Sequence, residues 1–364
     1  MTQNSIGNIF SVTVFGESHG KCIGVVVDGC PAGLALGDTD IQQVLDRRRP
    51  GKSVASTARA EKDRVEIISG ILNGFTTGAP VCMLVRNEDV DDSDYEKMRY
   101  LLRPGHADYT AQVKFGSFND WRGGGRFSGR ITAAFVMAGA VAAKLLSYID
   151  IKVVAHTVEI GGIKAFPVDV TEIAEKAGND PLQCADLEAS GRMAEIIAEA
   201  KKDGDSLGGV IECIALSVPP GLGEPVFDNL DGDIAKALLA IPAVKGVEFG
   251  AGFAVARMKG SENNDPFTTE DGKIVTLTNN SGGVLGGISN GMPLVVRVAV
   301  KPTPSISREQ STIDIRKMEN TRLTISGRHD ACIVPRAVVA VEAMVAVTLC
   351  DFARRAGLIP GVLQ

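Results

Sequence analysis

The chain has 364 residues, 45% of them hydrophobic and 5% aromatic, with 38 Lys and Arg against 44 Asp and Glu and a formal net charge of −6. Ordinary apolar content with modest charge excludes a disordered chain. The acidic balance excludes a general polyanion binder, whose non-specific affinity comes from surplus basic charge.

The first ten residues, MTQNSIGNIF, lack a charged region followed by an apolar core, so no secretory signal is expected. Phe10, Val12 and Val14 alternate with polar or small residues and predict a strand. Gly16-Glu-Ser-His-Gly20 interrupts it, and Cys22–Asp28 resumes as a second extended run. A helix is expected from about Thr39, capped by Asp38 or Thr39 and ended by Pro50-Gly51. Strand-like runs follow at residues 65–71 and 80–86. Residues 127–149 read as a buried helix, with Ala133, Val136, Ala140 and Ala143 on one face. Its apolar stretch, residues 131–143, falls short of the ~20 residues that span a bilayer. Further strands are predicted at 151–160, 210–218, 247–258 and 292–300, and a last long helix starts near Pro335.

This order does not alternate strand and helix cleanly, which predicts an α+β fold rather than a doubly wound sheet. With no short-period repeat and no low-complexity linker, one domain over residues 1–364 is expected. The seven Cys are scattered without a Cys-x-x-Cys pair, against both a disulfide framework and a zinc knuckle. The expectation is a soluble cytosolic protein with reduced thiols. Its net charge is concentrated: residues 169–205 hold ten acidic and four basic side chains, the whole of the excess, in a helix-prone stretch that reads as solvated periphery.

Arginine placement points to chemistry. Of 21 Arg, only Arg192 lies between residues 151 and 250. Eight of the others gather near glycines: Arg47-Arg48-Arg49 before Pro-Gly, Arg103 in Arg-Pro-Gly-His106, Arg122, Arg126 and Arg130 around Gly123-Gly-Gly125, and Arg328 in Gly-Arg-His-Asp330. A guanidinium presents a planar fork of donors to carboxylate or phosphate, and glycines let backbone approach a ligand. A single Arg is usually a solvated surface residue, but four such clusters predict a pocket for a small, multiply charged anion. Of four histidines, His19, His106 and His329 lie in these segments, where an imidazole can donate a proton to a leaving oxyanion. His156, in an apolar run, reads as structural or exposed. No histidine pair has a metal-binding spacing, so no metal is expected.

Two motif look-alikes fail. Gly51-Lys52-Ser53 resembles the end of a P-loop, but the glycine required five positions earlier is Asp46. Gly16-Glu-Ser-His-Gly20 fits the nucleophile elbow of a serine hydrolase, which must run from strand into helix; the residues after Gly20 read as strand. A hydrolase using Ser18 therefore stays as an alternative, as does an RNA- or nucleotide-binding module built on the Arg-Gly segments.

Gly16-Glu-Ser-His-Gly20, Asp46-Arg-Arg-Arg-Pro-Gly51, Arg103-Pro-Gly-His-Ala-Asp108, Arg122-Gly-Gly-Gly-Arg126 with Ser128 and Arg130, Lys301-Pro-Thr303 and Gly327-Arg-His-Asp330 together resemble, in order, the signature blocks of the chorismate synthase family. The resemblance implies a single-domain β-α-β sandwich, with helices between antiparallel sheets, assembled as a cytoplasmic homotetramer. It implies a lyase that eliminates phosphate from 5-enolpyruvylshikimate 3-phosphate to give chorismate. Reduced FMN is required without net oxidation, NADP belongs to the family's associations, and no nucleic-acid or membrane partner is implied. The chain shows no segment resembling a flavin reductase, so an external flavin reductant is expected.

By the same resemblance, His19 protonates the departing phosphate and Ser18 helps to hold it. His106 stabilises the reduced flavin ring, and Asp330 helps the flavin to take up the substrate hydrogen. Arg48, Arg103 and Arg130 hold substrate, while Arg328 also faces the flavin. The flavin cradle uses Arg126, Phe127, Ser128, Pro242, Ala243 and Gly286, together with Lys301, Pro302, Thr303, Pro304 and Ser305. Three positions depart from the family: Val54 where arginine is common, with Arg59 as a substitute, Pro242 where a polar residue is common, and Phe127 where serine is common.

Overall fold

The structure is a computed structural model, and it describes residues 4–49, 62–88, 93–325 and 329–363. Two five-stranded antiparallel sheets enclose a layer of helices. The first runs Ser5–Ile6, Ser11–Gly16, Cys22–Asp28, Val81–Arg86, Val65–Ser69 from edge to edge; the second runs Val244–Phe249, Leu294–Val300, Gly209–Leu216, Lys152–Ile160, Ile163–Lys164. Between them lie Thr132–Ser147 and Val334–Arg355, packed on each other and against both sheets, with Asp38–Arg48 beside them. The α+β expectation holds, and one continuous hydrophobic core spans both sheets.

The period-two pattern decides which face each strand buries. Register aligns Val12 with Val27 and Val27 with Val81, then Val14 with Val25 and Val25 with Met83, so inward residues form cross-strand apolar rows. In the second sheet Ile211, Cys213 and Ala215 stand opposite Val298, Val296 and Leu294. Both halves share a sheet order: two adjacent antiparallel strands, a helix, two further strands of which the last inserts centrally, then a core helix; in the second half Ile163–Lys164 and the helices Val170–Asn179 and Leu187–Lys202 separate the first two strands. No sequence period betrays this repetition.

Several boundaries differ from expectation for local reasons. The first helix is capped by Gly37, whose N–H donates to Oδ2 of Asp40 at 2.8 Å, and it ends at Arg48. Pro50-Gly51 lies outside the described residues. The helix expected over 127–149 begins only at Thr132, because residues 122–131 form tight 3-10 turns around the glycine triplet. The strand expected over 247–258 is Val244–Phe249, and left-handed Gly250 and Gly252 turn the chain into a short 3-10 segment. The acidic stretch forms Val170–Asn179 and Leu187–Lys202, capped by Asp169 and Asp186. Residues Gly129–Ser147 prove long and apolar enough to cross a membrane by composition, beyond the 131–143 estimate. In the fold this stretch is the core helix, 78% buried.

Candidate active site

A cavity of about 790 Å³ opens where loops from both halves meet. Its walls come from the first sheet (Ser5, Val12, Val14), from loops 103–107 and 123–132, from residues 239–245, and from residues 301–305. The start of the Val334–Arg355 helix completes it. The volume is that of a small-molecule site. Three of the four predicted Arg-Gly clusters thus bring arginines to one place, with Arg48, Arg103, Arg126 and Arg130 on the lining, and the fourth segment contributes His329 and Asp330; Arg328 lies outside the described residues, as do Val54 and Arg59.

The glycine triplet brings two histidines to the site. Gly123, Gly124 and Gly125 take φ values of 57°, 80° and 52°, three consecutive left-handed residues that only glycine supplies cheaply. The turn passes so close to His19 that a Cβ on Gly123 would overlap its ring, and a Cβ on Gly124 would stand 3.2 Å from Nε2 of His106. Ser18 N–H donates to the Gly125 carbonyl at 3.2 Å, joining this turn to the 16–20 loop. His19 is buried behind Gly123 and Tyr95, two lining residues, with its ring edge-on to Tyr95 at 5.2 Å. Ser18 is fully buried, and its Oγ has no hydrogen-bond partner among the described residues.

His106 has a defined tautomer. Its Nδ1 lies 2.8 Å from Oδ1 of Asp108 and 3.1 Å from Nη2 of Arg103. Two acceptors cannot face each other at 2.8 Å, so Nδ1 carries a proton donated to Asp108 and Nε2 is directed toward the glycine turn. The same carboxylate accepts from Arg103 Nε at 2.8 Å and Nη2 at 2.7 Å. Burial alone would raise the Asp108 carboxyl, but hydrogen bonds and charge from Arg103 and His106 hold it well below the usual range.

The opposite wall holds a buried charge cluster. Oδ2 of Asp63 accepts from Arg48 Nη1 at 2.8 Å and Oδ1 accepts from Arg130 Nη1. Arg48 also donates through Nε to Thr132 Oγ1 at 2.9 Å, and Arg130 through Nε to Asn87 Oδ1 at 2.9 Å. Burial pulls the Arg48 guanidinium down to about 9, with Asp63 opposing it, so it stays charged at neutral pH. Asp330 lines the cavity and accepts from Arg336 Nη1 at 2.6 Å, while Arg336 Nε donates to the Arg48 carbonyl at 3.3 Å.

The predicted cradle is mostly assembled. Arg126, Phe127, Ser128, Pro242, Ala243, Lys301, Thr303, Pro304 and Ser305 line the cavity. Arg126 ties the Gly16 and Val14 carbonyls, Lys301 Nζ donates to the Gly105 carbonyl, and Ala243 is left-handed with φ 73°. Thr303 Oγ1 is buried without a partner among the described residues. Apolar walls, cationic side chains and the orphaned Thr303 hydroxyl form a lining suited to a flat, anionic heterocycle. Pro302 does not line the cavity. Gly286 sits in the turn joining Val284–Leu285 to Ile288–Ser289, outside the cavity, as its local sequence reads on its own.

Sequence reasoning gave no role to Asp63, Asp108, Tyr95 or Arg336, which face or brace the site, whereas His329, a proton-donor candidate from its segment, lies on the lining. Asp108 stood inside a quoted block, two residues after His106; Asp63, in Lys62-Asp-Arg64, looks like an exposed charge pair and offered no signal. His156 is buried in the second sheet, facing Glu212 at 3.4 Å. The hydrolase alternative fails on its own requirement, since Gly20 leads into the Cys22–Asp28 strand. The Arg-Gly segments converge on a cavity instead of forming an open basic stripe.

Comparison with known proteins places this geometry. A sequence model of the chorismate synthase family matches residues 10–353. The chain is 57% identical over 361 residues to chorismate synthase of Dehalococcoides mccartyi (strain ATCC BAA-2100 / JCM 16839 / KCTC 5957 / BAV1), covering 99% of each. It is 54% identical to that of Korarchaeum cryptofilum (strain OPF8), covering 94% of each, and 53% identical to that of Methanosarcina barkeri (strain Fusaro / DSM 804), covering 99% of this chain and 98% of the relative. A crystal structure of chorismate synthase superposes with a TM-score of 0.77 at 34% identity, over 96% of this chain and 93% of that one.

Proposed function

The chain belongs to the chorismate synthase family, and from that premise we propose that it eliminates phosphate from 5-enolpyruvylshikimate 3-phosphate with reduced FMN bound in the cavity. The lyase activity and its place in the shikimate pathway follow from family membership. The observation that carries the finer reading is the convergence of His106, Asp330 and several arginines on one cavity, with His19 packed directly behind its Gly123 wall.

The substrate carries two carboxylates and a phosphate. Arg103, Lys301 and Arg336 supply cationic rim, and the Asp63 pair supplies surplus buried charge. Arg48 and Arg130 spend much of their hydrogen bonding on protein acceptors, so they serve by charge and rigidity more than as open forks. His19 protonates the departing phosphate oxygen, with the Ser18 hydroxyl beside it as a further donor. What bound reduced FMN supplies is transient electron density to the allylic system as the C–O bond breaks, with no net oxidation. His106, oriented by Asp108, directs Nε2 toward the glycine turn, where it would stabilise the negative charge of a reduced flavin. Asp330, oriented by Arg336, receives the proton of the departing hydrogen. Arg126, Phe127, Ser128, Pro242, Ala243, Lys301, Thr303, Pro304 and Ser305 would hold the cofactor, and Arg328 would complete that set.

Residues 1–364 act as one catalytic domain in this reading. Exposed Phe253, Phe267 and Ile274 on the second half support burial in a homotetramer. Reduced flavin comes from an external reductant in the cytoplasm. Anaerobic incubation of the enzyme with reduced FMN and the enolpyruvyl substrate should release phosphate and chorismate in equal amounts. No product under those conditions overturns the assignment. His19→Ala and His106→Ala should each cut turnover at least about tenfold, whereas His156→Ala should leave it near wild type.

A further inference from the structure

We propose that Asp63 is the positioning residue of the anion pocket: its carboxylate fixes the Arg48 and Arg130 guanidinium groups and sets how much positive charge the pocket presents. The proposal rests on the reading of this cavity as the site of an anionic phosphoester. The three residues come from separate parts of the chain: the last turn of the Asp38–Arg48 helix, the residues before the Val65–Ser69 strand, and the 3-10 turn Gly129–Ile131. One oxygen of Asp63 serves each arginine. Its side chain is fully buried, those of Arg48 and Arg130 nearly so, and all three border the cavity.

Asp63 is left-handed, with φ 45°. Asn adopts that backbone as readily as Asp does, so the backbone does not explain the choice of Asp. What Asp adds is a negative charge. Within this cluster Arg48, Arg130 and Arg336 face Asp63 and Asp330, a local surplus of one positive charge, beside the further lining cations Arg103, Arg126, Lys245 and Lys301. Without the Asp63 charge that local surplus doubles, and one arginine loses its bond to residue 63 and keeps its neutral acceptors, because an amide offers a single oxygen. Affinity for any small anion then rises while the orientation needed for turnover is lost. A merely structural residue would not move those two quantities in opposite directions.

The test compares wild type, Asp63→Asn and Asp63→Glu in three measurements: calorimetric binding of inorganic phosphate at fixed ionic strength, anaerobic kcat and KM with reduced FMN, and thermal melting. Asp63→Asn should bind phosphate about 3- to 10-fold more tightly and lose at least about tenfold in kcat. Asp63→Glu keeps the charge but displaces the carboxylate, so phosphate affinity should stay within about twofold while kcat falls about 3- to 10-fold. Unchanged or weaker phosphate binding in folded Asp63→Asn overturns the proposal, as does wild-type kcat in Asp63→Glu. If Asp63→Asn does not fold, the Asp63→Glu pair of readouts decides alone. A wild-type enzyme that forms no chorismate overturns the functional reading instead, and the phosphate measurement still judges Asp63.

Discussion

Asp108 stands 2.8 Å from Nδ1 of His106 while the same carboxylate clamps Arg103 through Nε and Nη2. One acid thus orients an imidazole and a guanidinium that line the same cavity, and it also accepts from the Arg103 backbone N–H at 3.0 Å.

Asp108→Ala should therefore damage both functions together. Turnover is expected to fall on the order of 10- to 100-fold and KM for the enolpyruvyl substrate to rise, since each group loses its orienting partner. Asp108→Asn keeps one acceptor and should lie between. Steady-state kinetics under anaerobic conditions measure both; a KM change alone would mean that His106 does not depend on Asp108.

Acid should unfold the protein through the same carboxylates. Arg48 and Arg130 overcome the burial that would raise Asp63, and Asp108 is likewise held low, so both have folded-state values beneath their unfolded ones. The stability they contribute is complete above the unfolded value of about 4 and is lost as pH falls through the folded values. Melting temperature should be flat near neutrality and drop steeply below about pH 4. In Asp108→Asn the neutral plateau should be lower and the drop shallower, with the two curves converging in acid.

Gly123 tests the approach of the glycine turn to His19. A Cβ there overlaps Cδ2 and Nε2 of the ring, and the left-handed backbone, φ 57°, adds about 1–2 kcal/mol of strain. Gly123→Ala should keep the fold but push His19 aside, lowering turnover at least about tenfold. Gly178→Ala, in the Val170–Asn179 helix with nothing within 4 Å, is the control, gaining about 0.5–1 kcal/mol and leaving turnover alone. Equal turnover in the two variants would contradict the placement of His19.

How much of this was legible follows from what each signal depends on. Val12, Val14, Val25 and Val27 announced their strands because alternation is local and one face is buried. The roles of His19, His106 and Asp330 came from the family resemblance of the ordered blocks; the residues alone offered only histidines among Gly- and Arg-rich segments. Asp63 stayed invisible: between Lys62 and Arg64 it resembles solvated charge, and only folding puts two distant arginines on it. The 127–149 helix was placed five residues too early at its start because the turns around residues 122–131 answer to contacts with loop 16–20. The repeated connectivity of the two halves left no trace because it is a likeness of topology, not of side chains.

Gly139 sets helix propensity against packing. In the Thr132–Ser147 helix, an exposed Gly→Ala change would add about 1 kcal/mol of stability. Here an added Cβ would overlap Cβ and Cα of Ala343 in the Val334–Arg355 helix and stand 3.2 Å from its carbonyl carbon. Those atoms are backbone or attached to it, so no flexible side chain can give way. Overpacking of a close helix crossing costs about 1–3 kcal/mol or more, which exceeds the propensity gain. Gly139→Ala should therefore lower the melting temperature by a few degrees at most, on the order of 1–2 °C per kcal/mol for a chain of this size. Turnover should fall as well, because moving the Val334–Arg355 helix displaces Arg336, which holds Asp330. Adding Ala343→Gly restores the space at the cost of about 1 kcal/mol of propensity, so the double variant should recover most of the turnover lost by the single one. A higher melting temperature in Gly139→Ala would show that the two core helices are not in contact at this point.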